Sequence, residues 1–118
     1  MNFRTITYEK LGAVLRITAN RPEVLNAQSR VMIVELDEAF RAASDDSDTR
    51  VIIVAGAGKH FSAGHDLGSR EEMEDQKAHP VGPGIAENLT RLSELYLETC
   101  LRWREVPKPT IAQVQGYC

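Results

Sequence analysis

The feature that most constrains the fold is a continuous apolar run that leads directly into a glycine-rich loop. Residues Val51 to Ala55 are all apolar, and Gly56 and Gly58 follow at once. Continuous apolar runs bounded by turn residues are typical of strands buried on both faces, as in a parallel sheet. A buried strand that enters a glycine-rich loop is a common place for a ligand site in α/β proteins. We therefore predict an α/β fold with a candidate site just after this strand.

The residues before this run predict a hairpin and a helix. Phe3–Tyr8 alternates polar and apolar residues and predicts a strand, and Ala13–Thr18 predicts a second one. Ser29 is a suitable N-cap for an amphipathic helix. The apolar residues of that helix recur at helical spacing, at Met32, Leu36, Phe40 and Ala43.

The residues after the glycine-rich loop predict a surface loop, a long helix and a strand. The polar segment Arg70–Gly84 is expected to be a mobile surface loop. Ile85–Trp103 carries apolar residues at alternating steps of four and three, which indicates a long amphipathic helix. Pro107 then ends the helix, and Thr110–Val114 predicts a short buried strand.

Composition excludes several classes of protein. The 118 residues are 42% hydrophobic and carry a formal net charge of −3, which argues for a globular protein without a nucleic-acid-binding face. No apolar run approaches the length of about 20 residues that spans a bilayer. The N-terminus lacks the apolar core of a signal peptide, so we expect a cytoplasmic location and no membrane partner. The two cysteines form no metal or disulfide pattern, so we expect both to be reduced packing residues and expect no metal site.

The loop from Gly56 to Leu67 matches neither of the common phosphate-binding motifs. A P-loop requires a glycine at the position of Ile53, and a dinucleotide fingerprint requires one at the position of Phe61. The small residues Ala63 and Gly64 would let a backbone approach a ligand closely. A backbone N–H at such a turn suits a developing oxyanion. On local physics alone, a tight strand-to-helix turn without a ligand remains the better interpretation.

Three segments in register resemble the signatures of the enoyl-CoA hydratase/isomerase (crotonase) superfamily. Ile17–Ala27 contains Asn-Arg-Pro followed by Asn-Ala, which is similar to the first signature. Val51–Leu67, with Phe-Ser-Ala-Gly-His-Asp-Leu at its end, resembles the second. Pro107–Cys118 resembles the opening of the third. The resemblance implies the N-terminal part of a single crotonase-like domain built from β-β-α repeats, covering residues 1–118.

The same resemblance implies an acyl-CoA site that polarises the thioester carbonyl with two backbone N–H groups. The first of these groups belongs to His65, and the second is expected from a glycine just past Cys118. The chain stops in mid-motif, so we expect an incomplete active site and doubtful activity of these residues alone.

Further CoA contacts are implied by position in the family motifs. Ala63, Asp66 and Leu67 correspond to the segment whose backbone meets the adenine end of CoA. Arg21 and Ala27 correspond to positions near the CoA phosphates and pantetheine. An ordinary solvated arginine is an equal alternative for Arg21.

The imidazole of His65 is open to three interpretations: filling the loop, contacting the acyl group, or acting as an acid or base. His60 and His79 are expected to be solvated. The acidic residues that follow are expected to form a solvated stretch rather than catalytic groups; they are Glu71, Glu72, Glu74 and Asp75.

The reaction implied by the resemblance is hydration of a 2-enoyl-CoA through an oxyanion-stabilised enolate, with no cofactor other than the CoA thioester substrate. Relatives also isomerise, decarboxylate or hydrolyse thioesters, and the fold does not choose among these reactions. The family also implies a homotrimer or hexamer. The alternative outside the enzymes is a non-catalytic protein, either a truncated product or a subunit used for assembly.

Overall fold

A computed structural model describes all residues, 1–118, as one four-stranded sheet with its helices. The strands lie in the order β1-β2-β3-β4. Strands β1 and β2 are antiparallel, whereas β2, β3 and β4 are parallel. The strands are β1 (Ile6–Leu11), β2 (Val14–Ala19), β3 (Val51–Gly56) and β4 (Thr110–Gln113). The predicted hairpin and parallel strand are therefore confirmed.

Strand β1 lies three residues further along the chain than the sequence pattern indicated. The amides of Arg4 and Thr5 each donate to the Glu35 carboxylate at 2.8 Å, so a helix side chain holds the predicted start of the strand outside the ladder. At the other end, Leu11 pairs with Val14 across a turn. Gly12 makes this turn possible with a φ of 64°.

Helix α1 (Arg30–Asp45) crosses from β2 to β3 and supplies half of the core. Ser29 accepts a hydrogen bond from the Met32 N–H at 3.2 Å, which confirms the predicted N-cap. The predicted apolar stripe is buried and packs on Leu15 and Ile17 of β2. Each fully buried aliphatic side chain of this kind stabilises the fold by about 1.5–3 kcal/mol.

Strand β3 is less buried than its continuous apolar run predicted. Ile52 is fully buried, but Val51 and Ile53 on the opposite face are half-buried. The reason is that α1 covers only one face of the sheet. Strand β4 has a free edge and is exposed throughout, so the expected burial of this strand was wrong.

The predicted loop after residue 69 is wrong, because residues Arg70–Ala78 form helix α2. Ser69 caps the helix by accepting from the Glu72 N–H at 3.2 Å. The helix has no apolar stripe, so hydrophobic periodicity failed to reveal it. The Ser-x-x-Glu spacing of Ser69 and Glu72 was the available signal, since it is typical of a helix start.

The predicted long helix is continuous from Ile85 to Arg104 but changes its winding midway. Helix α3 (Ile85–Leu92) passes through a π-helical turn at Ser93–Leu97 into α4 (Glu98–Arg104). Much of its apolar stripe is exposed, including Ile85 at 88% and Leu89 at 65%. Both cysteines are free and exposed, contrary to the packing role expected for them. None of the helices is both long and apolar enough to cross a membrane.

Candidate functional site

Two loop segments that are far apart in the sequence lie side by side beyond the ends of β2 and β3. Residues 25–28 run parallel to residues 63–66. The Ala63 N–H donates to the Leu25 carbonyl at 2.9 Å. Gln28 donates to the Gly64 carbonyl at 2.8 Å and accepts from the Asp66 N–H at 3.0 Å. The first and second sequence signatures therefore form one backbone unit.

Hydrogen bonds of Asn26 connect this unit to the turn after β3. Its side chain is fully buried, accepts from the Arg21 N–H at 2.9 Å, and donates to the Ala57 and His60 carbonyls at 2.8 Å each. The Asn26 carbonyl also accepts from the Ser62 hydroxyl at 2.9 Å. Sequence reasoning assigned no role to Asn26. Its φ of 53° suits asparagine, which tolerates this left-handed conformation better than most residues.

Gly64 bends the segment in a way that other residues resist. Its φ is 92°, a conformation that favours glycine, and the position where a Cβ would project is open. The predicted close approach of a ligand to Gly64 is therefore sterically feasible. A bulky side chain at this position would fill the open space.

The His65 N–H makes no hydrogen bond within the chain. Gln28 bonds to the residues on either side of His65, so the His65 N–H points to the other side of the segment. The imidazole is exposed and contacts Tyr96 edge-on, with 4.4 Å between ring centroids. The loop-filling interpretation of this side chain is therefore wrong, since the ring faces a cleft rather than the loop.

The cleft beside His65 has a volume of about 690 Å³ and is largely apolar. Tyr96 and Leu97 reach it from the π-helical turn, a kind of distortion that is frequent at functional sites. Burial raises the pKa of the Tyr96 hydroxyl. Sequence reasoning missed both residues as site residues. The lining residues are His65, Asp66, Leu67, Glu72, Gln76, Leu92, Tyr96, Leu97 and Cys100.

Arg21 lies beneath this segment and is only 3% exposed, so the solvated alternative is wrong. Its Nη1 donates to Asp66 Oδ2 at 2.8 Å and to the Ala27 carbonyl, and its Nη2 donates to Ser69 Oγ at 3.0 Å. Burial works to raise the pKa of Asp66, but hydrogen bonds from Ser69 and Arg21 outweigh it and lower this pKa to about 2. Asp66 is therefore ionised at neutral pH and neutralises the buried guanidinium.

The remaining predicted contact residues lie around this pair. Ala63 is exposed, Ala27 is half-buried, and the Leu67 side chain projects into solvent at 90% exposure. All of the residues that the motifs indicated lie in or beside the two paired segments. The structure thus brings the predicted set together, and three of its members, His65, Asp66 and Leu67, line the cleft.

The acidic residues of α2 are not a uniformly solvated stretch. Glu72 is 5% exposed and accepts from the Arg30 N–H at the start of α1 at 2.9 Å. Asp75 is bound by both Arg30 Nε and Nη2, and this hydrogen-bonded guanidinium lowers the pKa of its carboxyl. Glu74, whose side chain is 63% exposed, fits the prediction. These contacts join α2 to α1 and position the wall of the cleft.

His60 is half-buried, so its predicted solvation was wrong. Its ring stacks on the Tyr117 ring, and its Nδ1 accepts a hydrogen bond from the Tyr117 N–H at 3.0 Å. His79 is exposed, as predicted.

Comparison with known proteins shows the family to which the chain belongs. Residues 9–118 match the family model for enoyl-CoA hydratase/isomerase. The Mycobacterium tuberculosis protein EchA13, named provisionally as an enoyl-CoA hydratase, is 39% identical over 97% of this chain and 40% of its own length. The rat mitochondrial Δ(3,5)-Δ(2,4)-dienoyl-CoA isomerase is 39% identical over 89% of this chain and 32% of its own length.

A crystal structure of a probable enoyl-CoA hydratase from Mycobacterium smegmatis superposes with a TM-score of 0.83 at 41% identity. The superposition covers all of this chain and 43% of that one. The chain belongs to the enoyl-CoA hydratase/isomerase family and has the crotonase fold, and it spans about 40% of the curated M. tuberculosis relative.

Proposed function

We propose that the protein binds acyl-CoA thioesters at the cleft and uses the His65 N–H as one donor to the thioester oxygen. The observation that carries this proposal is an unpaired backbone N–H held at the edge of an apolar cleft by hydrogen bonds on both sides of it. An N–H that is already fixed in place loses little free energy to reorganisation when charge develops on a nearby oxygen.

The proposed reaction is hydration of a 2-enoyl-CoA. Polarisation of the thioester carbonyl favours attack of water at the β-carbon, because the resulting enolate places negative charge on the oxygen. The reaction needs no cofactor beyond the CoA thioester. A donor of this kind typically contributes about 10²–10³ in rate.

Isomerisation of a dienoyl-CoA is the second candidate. It is favoured by the 39% identity to the rat dienoyl-CoA isomerase over 89% of this chain. Both reactions pass through an enolate-like state and would use the same donor. They differ in whether water is added, so the product distinguishes them.

The proposed CoA contacts follow the exposed backbone of the paired segments. Ala63, Gly64 and Leu67 offer a small-residue edge and a solvent-facing side chain to the ligand. Asp66 and Ala27 would contribute further CoA contacts, because they belong to the same two segments. We also propose that the protein assembles as a homotrimer or hexamer, which sedimentation of the purified protein would measure.

Binding tests the site directly. Gly64→Val is expected to weaken binding of CoA or a non-reactive acyl-CoA analogue at least tenfold by calorimetry, because the side chain fills the open space beside His65. Gly12→Val is the matched control, since Gly12 also has a positive φ and open surroundings but lies in the β1–β2 turn. Equal affinities of the Gly64 and Gly12 variants would contradict the site.

Activity assays test the role of the His65 N–H and distinguish hydration from isomerisation. With purified protein, 2-enoyl-CoA should lose its enoyl absorbance with uptake of water. If isomerisation is the reaction, a 3,5-dienoyl-CoA should instead gain the absorbance of a diene conjugated with the thioester, at unchanged mass. His65→Ala keeps the backbone N–H and should retain most of the activity. Complete loss would indicate that the imidazole itself takes part in the chemistry.

A further inference from the structure

We infer that Arg21 is a positioning residue that orients the His65 N–H, rather than a ligand of the CoA phosphates. The inference rests on the proposed function of that N–H. It concerns a residue that lies beneath the site and whose side chain is turned away from solvent.

The burial of Arg21 leaves little surface for a phosphate to approach. The side chains of Arg21 and Asp66 are 4% and 3% exposed. The two Nη atoms are occupied by Asp66, Ala27 and Ser69, and Nε lies 3.2 Å from Glu71 Oε2 without hydrogen-bond alignment. A phosphate would have to displace a buried carboxylate to reach the guanidinium.

The contacts of Arg21 join both sides of the unit that holds His65. Ala27 belongs to the segment that pairs with residues 63–66, and Asp66 follows His65 directly. The guanidinium therefore bridges the two segments within one residue of the unpaired N–H. Ser69 extends the bridge to the start of α2, which forms one wall of the cleft.

This arrangement requires the shape of arginine as well as its charge. A guanidinium presents donors in a rigid planar fork and can reach three acceptors in different directions. A lysine ammonium keeps the charge beside Asp66 but has no fork with which to hold Ala27 and Ser69 at the same time. Displacement of a reacting group by about 1 Å can cost on the order of 10²-fold in rate.

Arg21→Lys distinguishes positioning of the His65 N–H from binding of the CoA phosphates. If Arg21 positions the donor, kcat falls about 10- to 100-fold while KM changes less than threefold, and the loss is equal for acyl-CoA and for acyl-pantetheine, which lacks the nucleotide phosphates. If Arg21 binds phosphate, KM for acyl-CoA rises and the defect disappears with acyl-pantetheine. That second pattern would overturn the inference. Arg41→Lys is the control, because the Arg41 side chain is 63% exposed on α1.

A measurement without turnover keeps the inference independent of the proposed reaction. The Asp66 N–H bonds to the Gln28 carbonyl, and amide hydrogen exchange reports whether this pairing persists. Arg21→Lys should accelerate exchange at Asp66 and Ala63 at least tenfold more than at amides of α1. Unchanged exchange at these two amides would refute the positioning role, even if the protein turns over neither an enoyl-CoA nor a dienoyl-CoA.

Asp66→Asn is the second variant if Arg21→Lys does not fold. It keeps the size of the side chain, removes its charge and replaces one acceptor oxygen with an NH2 donor. It should produce the same selective acceleration of exchange in residues 63–66. Protection equal to that of the unaltered protein would also overturn the inference.

Discussion

The imidazole of His60 stacks on the ring of Tyr117 and accepts the backbone N–H of the same residue. The ring centroids are 4.2 Å apart with an interplanar angle of 9°, and the hydrogen bond is 3.0 Å long. The turn after β3 is thereby joined to the segment after β4. Two neighbouring amides reinforce this link, since Phe61 donates to Gln115 and Ser62 donates to Tyr117.

Two substitutions of His60 should separate its stacking from its hydrogen bond. His60→Phe keeps an aromatic ring without an acceptor, whereas His60→Asn keeps a short-range acceptor without a ring. His60→Phe should accelerate exchange of the Tyr117 amide about fivefold, corresponding to a lost bond of about 1 kcal/mol. Amide exchange by NMR measures this effect. Slower exchange in His60→Phe than in His60→Asn would show that stacking dominates.

Gly56→Ala should destabilise the protein by about 1–3 kcal/mol. A Cβ at Gly56 would lie 2.4 Å from the Phe61 carbonyl oxygen and 2.7 Å from that of His60, so the backbone of the turn would have to move. Chemical denaturation gives the free energy of unfolding. Gly68→Ala is the control, because its Cβ meets nothing within 4 Å and its φ is not positive. It should leave stability unchanged or raise it slightly.

Protonation of Asp66 should lower the free energy of unfolding in acid. Its pKa is about 2 in the folded protein, below the ordinary value of 3.8, so its contribution is present above about pH 4 and is lost as the pH falls toward 2. The contribution is about 2 kcal/mol. Asp66→Asn should therefore lose less stability than the unaltered protein between pH 5 and pH 2. The exposed Asp48, changed to Asn, is the control, and an equal acid slope in both variants would count against the assignment.

Glu72→Ala should destabilise the protein by about 1–2 kcal/mol, because it leaves the Arg30 N–H at the start of α1 without its acceptor. Glu72→Gln retains an acceptor and should cost less. Glu74→Gln is the matched control on the same helix, and it should change stability by less than about 0.5 kcal/mol because its ion pair with Arg70 is exposed. Thermal unfolding of the three variants provides the comparison.

The fold was predicted well where local patterns carry the information. The apolar run at Val51–Ala55 indicated a parallel strand, and Ser29 with its following apolar stripe indicated α1; both are confirmed. The strand β1 was misplaced because the Glu35 side chain, 30 residues from Thr5, captures the amides at its predicted start. Helix α2 was missed because capping and ion pairs, rather than an apolar stripe, hold it in place.

By itself, the sequence determined the order of the elements other than α2, the N-cap of α1 and the motifs at residues 21–27 and 61–67. These properties depend on neighbours in the chain and on the periods of helices and strands. Only the tertiary structure decided that Arg21 is buried against Asp66, that Tyr96 faces His65, and that the His65 N–H is left unpaired. Each of these depends on partners brought together from distant positions, and hydrogen bonds of that range leave no local pattern in a single sequence.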